Sequence, residues 1–67
     1  MSTQSYVVTG MTCAHCVASV TEEVSDVNGV TAVAVDLETG ALQVTSDQPV
    51  PDEAVRAAVE EAGYQLA

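Results

Sequence analysis

Apolar positions recur along the 67 residues with two different periods. Tyr6-Val7-Val8-Thr9 is a short run of β-formers closed by Gly10, and it predicts a first strand. From Ala14 or His15 the period lengthens. Val17, Val20 and Val24 make one helical stripe and Val27 continues the spacing, while Thr21, Glu22, Glu23, Ser25 and Asp26 fall mostly on the wet side. Asn28-Gly29 is a stop-and-turn signal. Val30 to Leu37 then alternates, with Val33, Val35 and Leu37 on one face and Ala32, Ala34 and Asp36 on the other, as in a half-buried strand. Glu38-Thr39-Gly40 reads as a tight hairpin turn, and Ala41 to Thr45 as the returning strand with Leu42 and Val44 inward. Ser46 to Val50 reads as a polar loop. Pro51, Asp52 and Glu53 suit the start of a second helix, whose stripe is Val55, Ala58, Val59 and Ala62 and whose cap is Gly63. Tyr64-Gln65-Leu66 is a last short strand, and the polar residues 1–4 are expected to fray.

The resulting order, β-α-β-β-α-β, is the split βαβ pattern of ferredoxin-like folds. It predicts an α+β sandwich in which a four-stranded antiparallel sheet carries both helices on one face, as a single domain over residues 1–67. A chain of this length buries only about 60 % of its unfolded surface, so it is marginal without a staple or a ligand. The apolar residues are mostly Val and Ala, with no Phe and no Trp, so the core should be tightly layered with little room for an internal cavity. No acid–base dyad and no nucleophile–base–orienter set can be assembled, and no enzyme is expected.

Charge narrows the partners. Ten acidic residues face a single basic one, Arg56, for a net charge of −9. Nucleic-acid binding, which requires phosphate neutralisation, is excluded. An anionic membrane surface is disfavoured for the same reason, and a partner with a basic patch is the natural complement. The first six residues have neither a basic segment nor an apolar run, so no signal peptide is expected. No stretch approaches the ~18 apolar residues of a membrane span. A cytoplasmic setting with reduced thiols is expected, where a Cys-x-x-Cys pair points to metal binding or redox chemistry rather than a structural disulfide.

The chemistry is concentrated in Gly10-Met11-Thr12-Cys13-Ala14-His15-Cys16. This stretch holds both cysteines, the only histidine and, Met1 apart, the only methionine. It sits on a loop running into a helix. Residues spaced i and i+3 at a helix start can point the same way, and the unpaired N–H groups there favour thiolates. Thiolate sulfur selects Cu(I), Zn(II) or iron–sulfur clusters. A closed zinc site or a cluster takes about four ligands, whereas this chain offers two sulfurs and at most His15 as a third. Two thiolates with an open side suit a low-coordinate Cu(I) ion that must be passed on.

Gly-Met-Thr-Cys-x-x-Cys near the start of a chain with this element order resembles the metal-binding motif of the heavy-metal-associated domain family, and most closely its free-standing bacterial copper chaperones. The resemblance covers nearly the whole chain. It implies a cytosolic chaperone that binds one Cu(I) through Cys13 and Cys16 and hands it, by thiolate exchange, to a copper-transporting P-type ATPase with a basic docking surface. The chain would be a monomer without metal, with a copper-bridged dimer in reach when loaded. Met11 is expected as a buried anchor rather than a ligand. Thr12 takes the place where zinc-transporting relatives often carry Asp, which favours Cu(I), and it is also a candidate helix cap. His15 is read as a solvated first-turn residue, with transient ligation or thiol tuning as the alternative. Tyr64 follows Gly63 where bacterial chaperones of this family place Tyr, and it is expected near the sulfurs. The compact ends favour a complete chaperone over an excised ATPase domain. Two other readings stay open: a carrier for zinc, mercury or cadmium, and a thiol–disulfide redox protein.

Overall fold

The computed structural model describes residues 1–67. The chain runs β1 (Ser2–Thr9), α1 (Ala14–Ser25), β2 (Val30–Val35), β3 (Ala41–Ser46), α2 (Asp52–Glu61) and β4 (Gln65–Leu66). All strand pairs are antiparallel and the sheet order is β2-β3-β1-β4. This is the expected ferredoxin-like arrangement.

Side-chain alternation shows that both helices cover one face. In β3, Leu42, Val44 and Ser46 are buried and Gln43 is exposed. Their β1 partners Tyr6, Gln4 and Ser2 are half-buried, whereas the alternate residues Thr3, Ser5 and Val7 are exposed. Onto that covered face α1 brings Val20 and Val24, and α2 brings Val55, Ala58 and Val59. Together with Val8, Leu42, Val44 and Val50 they form one core of nine residues. Burying a valine or leucine side chain contributes about 1.5–3 kcal/mol. The inner ends of both helical stripes are therefore what holds the layers together.

Four local readings are corrected. Residues 2–4 do not fray, because β1 starts at Ser2 and pairs with β3 from Ser2↔Ser46 onward. Gln4 makes this tenable on the inner face. Its side-chain amide donates to the Val50 carbonyl at 2.9 Å and accepts from the Val50 N–H at 2.8 Å. It also donates to the Tyr6 hydroxyl at 2.7 Å, which in turn donates to Asp52 at 2.8 Å. Val50, read as loop, is buried as the residue this amide clamps. The strand β2 stops at Val35 and Leu37 is not inward; it lies in the turn, 39 % exposed. The hairpin closes one residue earlier than the alternation suggests, through Asp36 N–H to Ala41 O and Gly40 N–H to Asp36 O, both 2.8 Å. Val27 lies beyond the end of α1 and Tyr64 just ahead of β4.

Gly40 is required at this hairpin. Its φ is +76°, and a Cβ there would lie 2.5 Å from the Val8 carbonyl oxygen. That oxygen is close because the Val8 N–H donates to the Gly40 carbonyl at 2.8 Å, tying the turn down on β1.

Candidate metal centre

Strand β1 ends at Thr9, and residues 10–13 carry the chain across to α1. Cys13 is the residue that caps α1, with extended backbone (φ −158°, ψ 169°). Its carbonyl accepts the first helical bonds, from Cys16 N–H at 3.0 Å and Val17 N–H at 3.4 Å. This turn brings the sulfurs together: Cys13 Sγ and Cys16 Sγ lie 3.4 Å apart, both as free thiols. Cys13 is exposed and Cys16 half-buried. No acidic residue occupies the first turn of α1, so nothing there opposes thiolate charge.

The electrostatics favour Cys16 as the thiolate. Its pKa is lowered to about 6, first by the hydrogen bond from the Thr12 backbone N–H. The Tyr64 phenol, the Cys13 thiol and the Cys13 backbone amide lower it further, while partial burial works against them. The helix terminus acts here mainly through individual amides of the entering loop. Tyr64 shows the reciprocal effect: its hydrogen bond to Cys16 is the largest cause raising its own pKa, followed by burial and the charge of the two sulfurs.

A helix ending delivers Tyr64 to this place. The Gly63 N–H bonds to the Glu60 carbonyl at 2.9 Å and the Tyr64 N–H to the Val59 carbonyl at 3.1 Å, which is a Schellman ending with Gly63 at φ +96°. The Tyr64 ring then packs beside Gly10, whose Cβ position lies 3.5 Å from Tyr64 Cδ1. Met11 is half-buried and packs against the core. Thr12 does not cap α1, since its helix start has no side-chain cap; its hydroxyl instead lies 3.9 Å from Cys16 Sγ. His15 is exposed, and it does not join the two cysteines in a cluster of three ligands. The structure thus gathers Cys13, Cys16, Thr12 and Tyr64 and leaves His15 outside. The sequence reading missed the Thr12 amide, because a backbone donor carries no residue signature.

The heavy-metal-associated domain model matches residues 5–65. The COP-associated protein of Helicobacter felis is 41 % identical over 59 residues, covering 88 % of this chain and 89 % of that protein. The copper chaperone CopZ of Bacillus subtilis is 38 % identical over 68 residues, covering 100 % of this chain and 99 % of its own length. A crystal structure of a copper-binding domain from HMA7, a P-type ATPase, superposes with a TM-score of 0.91 at 35 % identity, covering 100 % of this chain and 92 % of that one. With the motif, the sheet order and the paired thiols in place, the chain belongs to the heavy-metal-associated domain family.

Proposed function

We propose that this chain is a cytoplasmic Cu(I) chaperone, a carrier rather than an enzyme, folded as one unit over residues 1–67. Cys13 and Cys16 bind the ion, and it leaves by thiolate exchange to a copper-transporting P-type ATPase. One observation carries the reading: two free sulfurs 3.4 Å apart at an open helix start, with no third His, Cys, Asp or Glu gathered on them. Soft, two-coordinate thiolate ligation suits Cu(I), and an incomplete shell admits a partner's sulfur. The copper roles of CopZ and of the HMA7 domain support the same cargo. Met11, Thr12 and Tyr64 would shape the loop and hold charge on Cys16 without ligating, and His15 would be a bystander.

Anaerobic titration with Cu(I) and Zn(II) against a competing chelator tests this, with X-ray absorption on the product. The expected result is one Cu(I) per monomer with two Cu–S bonds. Nitrogen-rich tetrahedral coordination would overturn it, and zinc held more tightly would favour the other soft-metal reading. Above one equivalent, gel filtration should show copper-bridged dimers, since an exposed Cu–thiolate unit can share ligands between chains.

The low pKa of Cys16 gives some support to a second reading, a thiol–disulfide redox protein. That reading requires a reduction potential in the oxidoreductase range, about −270 to −120 mV, together with turnover on a disulfide substrate.

A further inference from the structure

The short strand β4 leaves the first half of β1 without a neighbour on one side. β4 pairs with only the end of β1, at Val8↔Leu66 and Thr9↔Gln65, and the Ala67 N–H adds one bond to the Val7 carbonyl at 2.8 Å. In an antiparallel sheet the in-plane N–H and C=O groups of successive residues point to opposite neighbours. The Val8 N–H points to the β3 side, at Gly40, and the Val7 carbonyl to the β4 side, at Ala67. The N–H and C=O groups of Thr3 and Ser5 therefore also face the β4 side, where β4 no longer runs. This edge, Ser2 to Tyr6, carries no Lys, no Pro and no bulge, the usual devices that keep another strand away.

The open edge borders a surface groove of about 390 Å³ lined by Ser5, Tyr6, Asp52, Arg56, Leu66 and their neighbours. Arg56 is the only cation of a chain with net charge −9. It is exposed and makes none of the side-chain hydrogen bonds that order Gln4, Tyr6 and Asp52 beside it. A strand added here would continue the line of β4. Its residue opposite Tyr6 would place its side chain on the helix-covered side, as Tyr6 does, and so beside Arg56.

The geometry points to a peptide-docking edge: the groove takes an extended segment of a partner protein, paired antiparallel to Ser2–Tyr6, with a carboxylate side chain set against Arg56. Main-chain pairing supplies the affinity and the Arg56 contact the selectivity. None of the groove's residues belongs to the Gly10–Cys16 loop, so docking leaves the thiols open. A partner held by such a tether would meet the metal loop at a raised effective concentration. A second copy of this chain is a poorer occupant, because it brings a further net charge of −9 to the same edge.

The test uses the whole protein and an acetylated, amidated pentapeptide, Glu-Thr-Thr-Thr-Thr, whose first residue falls opposite Tyr6 in this register, followed by amide NMR. Shifts confined to Thr3, Ser5, Val7 and the Arg56 region are expected. Arg56→Gln should weaken binding about two- to fivefold, the range of an exposed ion pair. N-methylation of the peptide amides facing the edge should abolish it. Absence of shifts at millimolar peptide, equal binding of the Lys counterpart, or self-association of the protein through this edge would each overturn the inference. Arg56 lies outside the metal loop, so Cu(I) stoichiometry measured on the same Arg56→Gln sample separates this outcome from failure of the chaperone reading.

Discussion

At Cys16 a single thiol carries most of the site's electrostatic character. With its pKa lowered to about 6, it is largely a thiolate at neutral pH, and the rate of alkylation should rise through a midpoint near that value. Tyr64→Phe removes the second-largest cause of the shift and should move the midpoint upward. An unchanged midpoint would take the phenol out of the site. The same shift links to stability. A folded-state pKa below the unfolded value, about 8.5, stabilises the fold above that value, and the contribution is lost as pH falls through about 6. Denaturation midpoints measured between pH 5 and 9 should therefore rise with pH in this window (about the two pKa values), and Cys16→Ser should flatten the rise. Cys13 is exposed and lies outside the helix, so it should be the first sulfur replaced by an incoming thiolate. Cys13→Ser should slow transfer more than it weakens retention, relative to Cys16→Ser; identical behaviour of the two variants would sink that order.

Among the elements, turns and caps set the geometry more sharply than the strands do. Gly40→Ala combines a positive φ with a Cβ 2.5 Å from a carbonyl oxygen, and should destabilise by about 2–4 kcal/mol. Gly63→Ala has the positive φ but open space around the new methyl, and should cost about 1 kcal/mol. Urea titration of both variants checks the ranking, and equal losses would refute the steric argument. The helices were readable because Val20, Val24, Val55 and Val59 keep a 3.6 period and are fully buried. The first half of β1 was not, because Ser2 and Gln4 are polar and the bonds that hold Gln4 come from Val50, 46 residues away. Leu37 misled for a related reason: alternation continues through Val30–Leu37 in sequence, but hydrogen bonds at Asp36 end the strand. The motif located both sulfurs, whereas the Thr12 amide and the meeting of Tyr64 with Gly10 depend on chain geometry alone.

For the molecule as a whole, six of the ten carboxylates lie on the helices, Glu22 and Glu23 on α1 and Asp52, Glu53, Glu60 and Glu61 on α2, and all but the half-buried Glu23 are exposed, so each helix carries an acidic outer surface. If these faces steer a basic partner, transfer rates should fall as salt rises, since the screening length is about 10 Å at 0.1 M and about 3 Å at 1 M. A rate insensitive to salt would leave the acidic faces serving solubility alone. A 67-residue chain with nine core residues beneath a single sheet face has a small melting entropy, so a given binding energy moves the transition far. In a domain of this size 1 kcal/mol shifts Tm by about 4–8 °C. Cargo present at a thousand times its dissociation constant supplies about 4 kcal/mol, hence a shift of about 16–32 °C. A thermal melt would thus report how fully the loop is loaded, and the empty chain would be the heat-labile form.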